Sequence, residues 1–263
     1  MIALYRNQLA AIFLIVLLLL VWEGAVQLFS LHVLVLPPPS KIFAYIYENF
    51  DKLLLHSWVT TYEIIVGFAI GAGLGIGISL AMLEYPLLRG TIYPLVIASQ
   101  TIPKIAIAPL LIIWFGVGLT PKIIIVSLLA LFPVLINTVA GFESTDRGHL
   151  DLLRSVDASK RQAYWHIHFP TALPHIFAGL KLAITVSVIG ALVGEWVAST
   201  KGLGYLLLFY TQYLDMVGTF AVLIVLILLG VFLFSVIALV ERATSWEAKV
   251  RRKTKVEVAE ASL

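Results

Sequence analysis

Charge is scarce in this chain, and the places where it gathers are the ones that could do chemistry. Glu143 to His175 form one island, ESTDRGHLDLLRSVDASKRQAYWHIHFPTALPH, between long apolar segments. Four of the six histidines lie there: His149, His166, His168 and His175. His166-x-His168 has a spacing that metals can use, but no carboxylate or cysteine pattern completes a ligand set, so solvated loop histidines are expected. Leu150, Leu153 and Val156 recur at helical spacing, as do Leu152, Val156 and Lys160. A short helix here carries an apolar stripe inside a charged rim, the form of a helix that docks a partner. Asp157-Ala158-Ser159 breaks it, and a second helical stretch runs to His168 before Pro170.

Two further charges, Lys104 and Glu195, sit inside apolar segments, where a charge is costly and marks a pathway or a partner. Lys104 follows Pro103, which removes a backbone donor and loosens a helix, as a gate requires. Glu195 falls near the end of its segment, so an acid that snorkels to the interface is the alternative. With Gln100, Thr101 and Asn137 these two are the candidates for a translocation path. No G-x-x-x-x-G-K-[ST], H-E-x-x-H or G-x-S-x-G is present, so the chain has no P-loop of its own and no zinc-protease or hydrolase motif. Paired intramembrane carboxylates, which a proton-coupled carrier needs, are expected to be missing as well. Neither a metal nor a cofactor is expected here.

The elements that position these residues are membrane helices. Of 263 residues 60% are hydrophobic and 13% charged, with a mean hydropathy of +1.00, against about 25% charged in soluble domains. The net charge of +3 lies mostly at membrane flanks, which argues against nucleic-acid binding. The absence of cysteine excludes disulfides, thiolate metal sites and a cysteine nucleophile. Arg6 and the apolar run Leu9 to Trp22 resemble a signal peptide, but no A-x-A-like site comes after them, so a retained first span is expected.

Six spans are expected: Leu9–Phe29, Ile64–Leu83, a kinked segment Thr91–Gly118, Ile123–Phe142, Phe177–Ala198 and Met216–Val240. The three parts are 1–60, the first helix with an external connector and surface helix; 61–240, a core with a cytoplasmic loop at 143–176; and a partly disordered tail, 241–263. Pro37-Pro38-Pro39 stiffens the connector, Ser40 can cap the next helix, and Lys41 to Trp58 reads as an amphipathic surface helix. No internal repeat is evident. Basic residues place both termini and the island inside, with Arg6, Arg89, Arg147, Arg154, Lys160, Arg161 and the basic tail there, Lys181 at the inner edge, and Lys41, Lys52, Lys122 and Lys201 outside. Gly67, Gly71 and Gly75, with Gly73 and Gly77, make small-residue ridges, for which packing within the chain is favoured over a contact between copies.

Asp151-Leu152-Leu153, three residues, Asp157, nine residues and Ile167-His168-Phe169-Pro170 resemble the EAA loop of binding-protein-dependent ABC importer permeases. Asp151 stands for the family's Glu, Leu152 and Leu153 for its alanines, Asp157 for its Gly and Phe169 for its Leu. The family's Gly provides φ > 0, a region that Asp tolerates. Gly67-Phe68, Ile102-Pro103-Lys104, Ala108-Pro109-Leu110, Trp114-Phe115-Gly116, Phe132-Pro133, Ile136-Asn137-Thr138, Gly194-Glu195 and Lys201-Gly202-Leu203-Gly204-Tyr205 extend the resemblance over roughly residues 35 to 245. They look like the nitrate/sulfonate/taurine branch, which includes importers of vitamin precursors.

The resemblance implies an all-α permease of the type I importer fold in a bacterial inner membrane. It implies an ATP-binding subunit, an external substrate-binding protein and a second permease copy as partners, with ATP held by the partner. The coupling residues would be Asp151, Leu152, Leu153, Val156, Asp157, Ile167, Phe169 and Pro170. Two rivals remain open at this point. An ion-coupled secondary transporter uses its own charges, often on inverted repeats with broken helices. An intramembrane enzyme needs a catalytic set at membrane depth, whereas the histidines lie outside the confident spans.

Overall fold

Apolar runs in a medium without water leave a backbone one local solution, the helix, because every N–H and C=O must find its partner within the segment. A computed structural model describes the backbone of residues 2–146, 148, 155, 157 and 159–260, and every regular element among the described residues is helical. The elements are α1 (Ile2–Leu28), α2 (Pro39–Glu48), α3 (Phe50–Glu84), α4 (Pro86–Ser99), a 3₁₀ turn (Lys104–Ile107), α5 (Ala108–Phe115), α6 (Leu119–Glu143), α7 (Lys160–Ala163), a π turn (Tyr164–His168), α8 (Phe169–Ala198), α9 (Leu203–Gln212) and α10 (Met216–Glu260).

Four continuous stretches are long and apolar enough to cross a bilayer: Phe50–Glu84, Leu119–Glu143, Arg161–Val197 and Met216–Thr244. A fifth is the pair Pro86–Ser99 and Lys104–Phe115, bent by 85°, and Ile12–Leu28 is a shorter apolar helix. The kink expected near Pro103 is present but far sharper than a bend within one rod, and its helix begins at Pro86 rather than Thr91. Three other expectations need correction. The surface helix Lys41–Trp58 is divided at Asn49, and its second half is the first turns of α3. Ser40 caps nothing with its side chain: Pro38 is the N-cap, while the Ser40 N–H and hydroxyl both donate to Glu23. The tail is helical through Glu260, because α10 runs on without a break.

The described chain divides into two compact units. The first comprises Met1–Thr60 and Thr200–Leu228. Within it, Glu23 of α1 receives the amide at the start of α2, a favourable place for a carboxylate at a helix N-terminus. Lys52 donates to the Tyr210 hydroxyl at 2.9 Å, and the Leu203 amide donates to Thr60 at 2.8 Å. His56, one turn from Thr60 on α3, accepts the Gly202 N–H at Nδ1, 2.9 Å away. Gly202 has φ 112°, a conformation that side chains strain to adopt, so the Lys201-Gly202-Leu203-Gly204 run is a tight entry to α9 held by α3. His56 thus lies within a membrane-length helix, contrary to the expectation for the histidines, and a backbone contact occupies it.

The second unit comprises Thr61–Ser199 and Leu229–Leu263. Its core joins α3, α6, α8 and α10 through Ile64, Val126, Ile184, Ala191 and Leu233. Gly67, Gly71 and Gly75 all lie against α6; a Cβ added at Gly71 would fall 2.3 Å from the Ser127 carbonyl. Nothing approaches Gly73 or Gly77 within 4 Å. The close ridge is therefore packing within the chain, as expected.

Candidate coupling and translocation site

Three places in the second unit gather the polar residues singled out above. The first is the end of α6 and the start of α8. Asp151, Leu152, Leu153 and Val156 lie outside the described residues. Asp157 is exposed at φ 51°, the left-handed region that a residue in the family's glycine position needs. Pro170 lies in the first turn of α8 and can offer no amide; just before it the Phe169 N–H reaches back five residues to the Tyr164 carbonyl, which defines the π turn. Ile167 is half-buried in that turn, and Phe169 lies 5.6 Å from the Trp165 ring. The Tyr164 hydroxyl donates to Glu84 at 2.5 Å, and His168 Nδ1 lies 3.2 Å from the Thr145 hydroxyl. His166 bonds instead to the Gln162 carbonyl. The two histidines of the H-x-H pair therefore have separate partners. A cavity of about 420 Å³ lies under this turn, lined by Leu80, Glu84, Phe142, Arg161, Tyr164, Trp165 and Phe169.

The second place is the break between α4 and α5. Gln100 and Thr101 are exposed there, and the Thr101 hydroxyl donates to the Ala98 carbonyl. Lys104 is half-buried with its ammonium 4.4 Å from the centre of the Phe132 ring on α6, a cation–π contact. Asn137 is on α6 as well, but its amide donates to the Pro133 carbonyl of its own helix, and its Cβ faces Gly179 of α8. Gln100, Thr101 and Lys104 are thus brought to one break, and Asn137 is committed to the α6–α8 contact.

The third place was not anticipated. Lys122, expected in an outer loop, lies in the first turn of α6 at 5% exposure, ion-paired to Glu63 of α3 and donating to Ser199 at 3.1 Å. Glu195, 1% exposed, is within hydrogen-bonding reach of Glu63. It is buried rather than reaching out to solvent, and it is far from Asn137: fifteen residues of α6 separate Lys122 from Asn137, about 22 Å of helix axis. Glu63 and Glu195 form the intramembrane carboxylate pair that the sequence does not advertise, since 132 positions separate them. Gly194 is the available signal: its missing Cβ makes room for the Lys122 stem, with Cγ 3.1 Å from where a Cβ would stand.

Comparison with known proteins places these features in a family. Residues 73–246 match the binding-protein-dependent transport system inner membrane component. The chain is 36% identical over 225 residues to the formylaminopyrimidine transport permease protein ThiX of Halalkalibacterium halodurans, covering 85% of this chain and 90% of that one. It is 28% identical over 242 residues to the taurine transport system permease protein TauC of Escherichia coli, covering 89% and 88%. Among solved structures, an inward-facing form of the MetNI methionine ABC transporter shares the fold, with a TM-score of 0.62 at 20% identity over 73% of this chain and 95% of that one. A helical membrane chain matched along most of its length in this way belongs to the family of binding-protein-dependent transport system inner membrane components, the permease subunits of ATP-driven ABC importers.

Proposed function

We propose that two copies of this chain form the pore of a bacterial inner-membrane importer, with both termini cytoplasmic and the loop 143–176 received by an ATP-binding subunit. The external binding protein would deliver a small solute of the sulfonate, nitrate, taurine or vitamin-precursor class; the relatives' names include formylaminopyrimidine, riboflavin, taurine and aliphatic sulfonates. Asp151 to Pro170 would carry the push of ATP-driven closure into α8, and Gln100, Thr101 and Lys104 would face the solute. The observation that carries this reading is Asp157 at φ 51°: the family's glycine position takes the backbone that glycine would take, on a loop that otherwise departs from the family's residues. ATP hydrolysis stays with the partner.

Tagged chain should co-purify with an ATP-binding subunit and a second differently tagged copy. Formylaminopyrimidine and taurine uptake should both be measured, and uptake of either should require ATP and the binding protein. Uptake driven by an ion gradient without ATP would replace this reading with a secondary carrier. Because the chain has no cysteine, single cysteines report sidedness cleanly. A cysteine at position 154 labelled by an impermeant reagent in intact cells would overturn the orientation.

A further inference from the structure

Glu84 ends α3, where the partial negative charge of the helix terminus disfavours a carboxylate. The Tyr164 hydroxyl donating to it at 2.5 Å offsets that cost and ties the π turn to α3. The same turn is also tied to the end of α6, where Thr145, two residues past Glu143, meets His168. Tyr164 and His168 lie 5.7 Å apart, four positions from each other, so one face of the turn carries both ties. The turn is wound one residue wider than an α-helix immediately before Pro170, and such bulges are frequent at functional sites. The cavity beneath it, about 420 Å³, leaves room for the ring of Tyr164, Trp165 or Phe169 to move against Leu80 and Phe142.

From this geometry we infer that Tyr164 and His168 are positioning residues that clasp the returning end of the loop to α3 and α6, so that a push on the loop moves three helices together rather than α8 alone. The inference rests on the proposed role of the loop as the ATPase contact. Without the clasp the loop would still bind its partner, and α8 would move with it, but α3 would not be driven.

The test uses the assembled complex with its ATP-binding subunits in nanodiscs and a non-hydrolysable ATP analogue, and so needs no knowledge of the solute. An environment-sensitive fluorophore is placed on a single cysteine, either Ser155→Cys in the loop or Tyr85→Cys just beyond α3, both exposed positions. In the otherwise unaltered chain the nucleotide should change the signal at both. In Tyr164→Phe, which keeps the ring and removes the hydroxyl, the signal at 155 should persist while that at 85 falls roughly tenfold, the factor expected for losing a hydrogen bond to a charged acceptor. Glu84→Gln retains an acceptor and should preserve the signal at 85; Glu84→Ala should not. Thr145→Val should leave the signal at 85 and weaken that of a third single cysteine, Ser144→Cys, an exposed position at the end of α6. A full signal at 85 in Tyr164→Phe, or at 144 in Thr145→Val, would overturn the clasp. Absence of any nucleotide signal at 155 in the unaltered chain would instead overturn the loop's role, and the clasp with it.

Discussion

The two ends of the second unit use the same residue types in opposite ways. At the Lys122 end, an ammonium and a carboxylate from α6 and α3 are buried to 6% and 0% of their side-chain surface. At the loop end, Arg89 of α4 pairs with Glu143 of α6 while 50% and 44% of the side chains remain exposed. Burial raises the stakes of a charge: removing one partner of a buried pair strands the other, at about 3–5 kcal/mol, whereas an exposed pair contributes about 0–1 kcal/mol. The Lys122 end is therefore held fast, whereas the ion pair at the loop end stays in contact with water and can be rearranged at smaller cost. That asymmetry would suit the proposed function, in which the push arrives at the loop end.

The largest expected effect comes from breaking the fast end. Lys122→Met keeps most of the stem against Gly194 but strands Glu63, and should destabilise the purified protein by about 3–5 kcal/mol in a thermal or denaturant melt. Lys122→Met combined with Glu63→Gln should recover much of that loss, because the amide carries no charge and can still donate to Glu195. A double variant no more stable than the single one would mean that the pair is not what Lys122 stabilises.

This pair also shows what the sequence could and could not reveal. The runs Ile64–Leu83, Ile123–Phe142 and Met216–Val240 are apolar without interruption, and each lies within a continuous helix. The break at Pro103 is equally local, since a missing amide acts where it stands. The first turns of α3 were hidden because Lys52, His56 and Glu63 interrupt the apolar pattern. Each is satisfied by a residue far along the chain, at Tyr210, Gly202 and Lys122, and no window of sequence contains both partners. Lys122 was misread for the same reason, as a basic residue at the start of an apolar run looks like a loop charge. The left-handed backbone at Asp157 was legible only through the resemblance, because the family has glycine at that place and Asp is one of the few other residues that tolerate the region. The ties of Tyr164 and His168 to α3 and α6 were not.

A second effect should sharpen the contrast without touching charge. Gly71→Leu places a side chain where the Ser127 backbone stands and must part α3 from α6, at about 1–3 kcal/mol of overpacking. Gly73→Ala meets nothing and should stabilise the helix by up to about 1 kcal/mol. Equal losses from the two would show that the α3 ridges do not differ as the structure has them.

Between the two ends, Lys104→Met removes the ammonium from the Phe132 face, a contact of about 0.5–2 kcal/mol. If Lys104 meets the solute, uptake should fall further than the melting temperature implies, with ATPase subunits still bound. Lys104→Arg should retain more uptake, since it keeps the charge over the ring although its planar head is not equivalent. Unchanged uptake kinetics in Lys104→Met would take the residue out of the path.

The smallest effect belongs to the loose end. Arg89→Gln removes the exposed partner of Glu143, and the released carboxylate is simply hydrated, so stability should change by no more than about 1 kcal/mol and the difference should vanish in high salt. The salt dependence matters more than the magnitude, because screening reaches charges that water reaches and largely spares those that it does not. Melts of Arg89→Gln and Lys122→Met across a salt series should therefore diverge: the first converges on the unaltered protein and the second does not. A loss above about 3 kcal/mol in Arg89→Gln that persists in high salt would mean that this end is as rigidly paired as the other. The loop would then push against a fixed anchor, and the contrast between the two ends would fail.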